Sequence, residues 1–82
     1  MSAPGATILV VDDEPPIRRF LRTSLGAHGY RIAEAATGRE ALGRLAGAEP
    51  DLVILDLGLP DVDGLELLRM IRAVSAVPVI IA

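Results

Sequence analysis

Three carboxylates stand out because each lies at the end of an apolar run. Asp12 and Asp13 follow TILVV, and Asp56 follows DLVIL. If the two runs are neighbouring strands of a parallel sheet, about 4.8 Å apart, the three acids converge on one rim. Carboxylates so placed repel one another, and the cost is relieved by retaining a proton or by recruiting a cation. The donors are all oxygens, with no His or Cys near them, which selects a hard ion such as Mg²⁺. A carboxylate beside such an ion can attack phosphorus and form an aspartyl phosphate, while the ion neutralises and orients the transferring group. Acids also cap helices, and for Asp12, Asp13 and Glu14 alone that plainer reading has equal weight. Asp56 is harder to explain so, because it directly ends a buried run and has no obvious structural partner.

The rest of the composition narrows the field. The chain has 82 residues, enough for one small domain. Its apolar content of 51% suits strands buried on both faces. No apolar run approaches the roughly 18 residues of a membrane helix, and the opening MSAPGA lacks the basic and apolar regions of a signal peptide. Absence of cysteine excludes disulfides and thiolate metal sites and fits a cytoplasmic location. Net charge is −3 and all eight basic residues are arginine. An acidic chain with no basic stretch is a poor candidate for direct DNA or RNA binding.

The elements that must position the acids alternate. TILVV, about 7–11, reads as a buried strand, and Pro15 and Pro16 open a helix with Ile17, Phe20, Leu21 and Leu25 at helical spacing. That helix stops near Gly26 to Gly29, and YRIAEA, about 30–35, reads as an edge strand. Thr37 and Glu40 form a capping box for a helix with an apolar face at Ala41, Leu42, Leu45 and Ala46, closed by Gly47. DLVILD, about 51–56, is the third strand. A third helix is capped by Asp63 with Glu66, apolar at Leu65, Leu68 and Ile71, and VPVIIA, about 77–82, begins a fourth strand. Repeated strand–helix–strand units predict an α/β fold with a parallel, doubly wound sheet. Ligands of such sheets sit outside the carboxyl ends of the strands, where the strand order reverses.

VVDDEPPIRRFLRTSLGAHGY followed by DLVILDLGLPDVDGLELLRMIR resembles the receiver domain of bacterial two-component response regulators. DLGLPD in particular is similar to the OmpR/PhoB class. The resemblance implies a flavodoxin-like (CheY-like) sheet of order 2-1-3-4-5. It implies that Asp56 is the phosphoacceptor, that Asp13 and Asp56 ligate Mg²⁺ directly, that Asp12 acts through a water, and that the Gly58 carbonyl completes the protein ligands. It implies a regulatory domain and no enzyme, a histidine kinase partner docking near Arg18, Arg19 and Arg22, and DNA contact only through a winged-helix output domain. The family also carries a Ser/Thr closing the fourth strand and a Lys closing the fifth. This chain ends at Ala82, just before that hydroxyl, and has no lysine. The expectation is therefore the N-terminal portion of one receiver domain, residues 1–82, without its fifth strand and last two helices. Its fourth strand would be an exposed edge able to pair with a second copy.

Arg18, Arg19 and Arg22 read as an exposed helix face, Asp61 and Asp63 as turn and cap residues more than as ligands, and His28 as a surface residue. Phe20 and Tyr30 read as core or semi-core. A haloacid-dehalogenase-like phosphatase would show DxDx[TV] and a lysine. A flavin or nucleotide module would need a Gly/Ser/Thr-rich loop where DDEPP stands. A degenerate receiver used only for protein contacts would have no need of Asp12, Asp13 and Asp56.

Overall fold

The computed structural model describes residues 5–82. The reading of the opening residues as free of a signal peptide falls mainly on residues 1–4, outside the described residues. Four strands, β1 (Thr7–Val11), β2 (Arg31–Ala35), β3 (Leu52–Leu55) and β4 (Val79–Ile81), alternate with three helices, α1 (Pro15–Gly26), α2 (Gly38–Ala48) and α3 (Gly64–Val74). All pairings are parallel and the order is β2-β1-β3-β4, the expected one. β2 is an edge, also as expected from its polar interruptions at Arg31 and Glu34.

Period-2 alternation divides the strands between two faces. Leu9, Val11, Val53 and Leu55 join Ala41 and Leu45 of α2 and Leu67 and Ile71 of α3 in one apolar core. Ile8 and Val10 are buried on the opposite face, over which α1 lies. That second face is only partly covered. α1 packs against β1 and β2, Ile54 remains half-buried, and Ile80 is 52% exposed. This corrects the reading of Phe20: it is 66% exposed, and α1 contributes no buried residue at all. Helical periodicity identifies an apolar stripe but not whether another element meets it. Tyr30 is half-buried, as expected.

Two local readings also change. α2 runs past Gly47 to Ala48, and the left-handed residue that ends it is Glu49 at φ 46°. In α3 the buried positions are Gly64, Leu67 and Ile71, whereas Leu65 is 54% exposed. The phase is set by Gly64, where a methyl would lie 2.5 Å from the Leu57 Cα, so that side of the helix must face the preceding loop.

Candidate phosphoacceptor and metal site

The carboxylates are brought together by the backbone ladder. Val11 lies level with Ala35 on one side and Leu55 on the other. Hydrogen bonding continues one step further: Asp12 N–H donates to Ala35 O at 3.0 Å, and Asp56 N–H to Val11 O at 2.9 Å. Asp12 and Asp56 are thereby held at the carboxyl end of adjacent strands. Asp13, one residue on, is exposed, Asp56 is half-buried and Asp12 is buried. One carboxylate oxygen from each lies within 4.8 Å of the other two.

Backbone donors fix two of the three. Asp12 Oδ1 accepts from Glu14 N–H at 2.8 Å, and Asp56 Oδ1 from Gly58 N–H at 3.2 Å. Among the described residues, no arginine forms an ion pair with any of them. Negative charge at this rim is therefore uncompensated by side chains, and an oxygen-only donor set of this size fits a hard divalent cation. Adjacent oxygens around Mg²⁺ stand about 3 Å apart, given Mg–O distances of about 2.1 Å.

Arg18 departs from its expected place on the solvated face. Its Nη1 donates to Asp12 O at 2.6 Å and its Nε lies 3.5 Å from Glu34 Oε1. Arg22 Nη1 donates to Glu34 Oε2 at 2.9 Å, so Glu34 on β2 draws both toward the sheet. Arg19 is exposed as expected, and so is His28.

The loop after Asp56 is tied at several points. Leu57 O accepts from Gly64 N–H at 3.2 Å, closing its neck. Asp63 Oδ1 accepts from Leu65 N–H at 2.8 Å and caps α3. Asp61 does more than turn the chain: its Oδ1 accepts from Gly38 N–H at 2.8 Å and its Oδ2 from Arg39 N–H at 3.0 Å. A carboxylate from one loop thus caps a helix that starts 23 residues earlier. The Gly38 and then the Arg39 N–H hold the Asp61 carboxyl below the usual carboxylate range. Thr37 Oγ1 accepts from Glu40 N–H at the same helix end, and Glu40 Oε1 accepts from Ala36 N–H. No local pattern could have revealed the Asp61 clamp, because its partners are remote in sequence. An apolar groove between the C-terminal ends of α2 and α3, lined by Leu42, Leu45, Met70 and Val74, lies at the other end of the sheet and does not reach the acids.

A parallel 2-1-3-4 sheet with three acids at the ends of its two central strands defines a receiver domain, and the chain belongs to the response regulator receiver domain family, whose model matches residues 8–82. Among curated proteins it is 55% identical over 74 residues to the KDP operon transcriptional regulatory protein KdpE of Escherichia coli, covering 90% of this chain and 33% of that one. Among solved structures it is similar to the N-terminal domain of a response regulator receiver protein from Methanoculleus marisnigri, with TM-score 0.87 and 42% identity over 92% of this chain and 63% of that one. The chemotaxis response regulator CheY4 of Vibrio cholerae gives TM-score 0.90 and 34% identity, over 94% and 67% respectively. The chain therefore spans about a third of the length of this curated relative and about two thirds of these solved receivers. No helix among the described residues is long and apolar enough to cross a membrane.

Proposed function

We propose that Asp56 accepts a phosphoryl group from a histidine kinase, and that residues 1–82 are the N-terminal portion of a receiver domain controlling a DNA-binding output domain. The observation that carries this reading is the convergence of Asp12, Asp13 and Asp56 at the carboxyl ends of adjacent strands. An Asp56 carboxylate oxygen attacks phosphorus, the P–N bond of a phosphohistidine donor breaks, and its electron pair returns to the imidazole nitrogen. Asp13, Asp56 and the Gly58 carbonyl would hold Mg²⁺, with Asp12 contributing through a water. The ion supplies neutralisation of the phosphoryl oxygens and of the crowded carboxylates. The kinase would dock on the α1 face carrying Arg19 and Arg22, both exposed. Arg18, turned inward, serves the β1–α1 turn instead. The transcriptional regulators among its relatives support transcription control; DNA contact through an output domain outside this chain and a cytoplasmic setting belong to the same proposal.

Mg²⁺ affinity should lie in the weak, millimolar-type range, because few protein ligands are available and the ion keeps several waters. It should fall as pH drops through the carboxylate range, since the ligands must be ionised. A calorimetric titration checks this, and unchanged affinity in the double variant Asp13→Ala, Asp56→Ala would sink the assignment.

The outer edge of β4 supports a second expectation. Ile80 and Ile81 are exposed, the strand is uncharged, and Pro78 protects only its start. The 82-residue chain on its own should self-associate through this edge and the adjoining open sheet face. Light scattering after size exclusion should show dimers or larger species that Ile80→Lys reduces. A stable monomer with a cooperative melt would contradict this.

A further inference from the structure

We infer that Asp61 is a positioning residue of the metal site, locking the loop that carries Gly58 onto the N-terminal end of α2. The inference rests on the reading of Gly58 as a metal ligand. The loop spans residues 57–63. One end leaves β3 at Asp56, whose Oδ1 accepts from Gly58 N–H. The neck is closed by Gly64 N–H on Leu57 O. Leu59 and Val62 also pack against the core from this loop, but Gly58, Pro60 and Asp61 between and beside them are exposed, so the polar backbone at its tip has no apolar anchor of its own. Asp61 anchors it by accepting the first two N–H groups of α2, one on each carboxylate oxygen.

Apolar packing sets the same relationship. Val62 is half-buried against the core, and a methyl on Gly38 would collide with its Cγ1. Gly38 is itself buried although it opens a helix. The close approach of the loop to α2 therefore needs both a side chain without a Cβ at Gly38 and a two-oxygen acceptor at Asp61. α2 is in turn fixed to the sheet through Ala41 and Leu45. The chain of support runs from the core through α2 to Asp61, and from there to the loop holding Gly58 beside the Asp56 carboxylate. A carbonyl ligand has no side chain of its own to adjust, so its placement depends wholly on how its loop is held.

The test separates this role from simple capping. Thr37→Ala removes the other cap of the same helix end without touching the loop. Asp61→Ala removes both loop-to-helix bonds, and Asp61→Asn keeps the shape but offers one acceptor oxygen where two are needed. Mg²⁺ titrations, with every variant and the otherwise wild-type reference chain carrying Ile80→Lys to limit self-association, followed by amide NMR of Gly58, should show affinity about tenfold weaker in Asp61→Ala, in line with losses at residues supporting metal ligands. Asp61→Asn should be intermediate, and Thr37→Ala should bind as the wild type does. The Gly58 amide should broaden in Asp61→Ala before any Mg²⁺ is added. Wild-type affinity in both Asp61 variants would overturn the inference while leaving the metal site standing. Equal weakening by Thr37→Ala would reduce Asp61 to a helix cap. Should Asp61→Ala fail to fold, Asp61→Asn decides alone. Absence of Mg²⁺ binding by the wild type would overturn the parent reading and this one with it.

Discussion

Asp56→Asn should abolish incorporation of a phosphoryl group from a small acyl- or amidophosphate donor. The amide oxygen is a poor nucleophile, and no neighbouring side chain can replace it without leaving its own place in the site. Asp12 is buried and committed to the Glu14 N–H. Asp13 is exposed, and its proposed task is to hold the cation. The product on the wild type should be base-labile and cleaved by hydroxylamine, as acyl phosphates are. Its formation should be slow, because the chain has no lysine to stabilise charge developing on the phosphoryl oxygens, an effect often worth about 3 kcal/mol. Filter binding of labelled donor measures this. Persistent labelling of the Asn variant would show that the nucleophile is misassigned.

Leu9→Ala should unfold the chain or leave it barely folded. Leu9 is fully buried at the centre of β1, with β2 on one side and β3 on the other. Losing its side chain costs about 2–5 kcal/mol, and a single core in a chain of this size rarely supplies more than about 3–5 kcal/mol. Leu65→Ala is the matched control. Leu65 has the same side chain but is half-exposed, so the change should cost less than about 0.5 kcal/mol. Urea melts followed by circular dichroism distinguish the two, and similar midpoints for both variants would mean that the core lies elsewhere.

That pair also marks what could be read from residues alone. The parallel sheet and the placement of the acids at strand ends were legible from the apolar runs, whereas the strand order, and with it the adjacency that makes the acids converge, came from the resemblance to receiver domains. The phase of α3 was not legible. Leu65, Leu67 and Leu68 are all apolar, so periodicity admits more than one buried stripe. The choice falls to Gly64 packing on Leu57, a contact between residues whose types say nothing of it. Arg18 misled for a related reason: its neighbours on α1 are solvated, but Glu34 on another strand draws it inward. Phe20 read as core because the helix is amphipathic, although nothing among the described residues covers that side. The Asp61 clamp joins a loop to the first two N–H groups of α2, which leave no mark on sequence. Thr37 and Asp63, whose partners are two or three residues away, were found for the opposite reason.

Asp56, among three crowded carboxylates, is the one proposed to form a bond to phosphorus, and only with a divalent cation present. Borohydride reduction converts an aspartyl phosphate into homoserine, so peptide sequencing of the reduced, labelled protein locates the bond directly. Homoserine should appear at position 56 alone, in samples containing Mg²⁺, and should vanish when the ion is chelated. Homoserine at position 12 or 13, or a yield at position 56 that chelation leaves unchanged, would contradict the account.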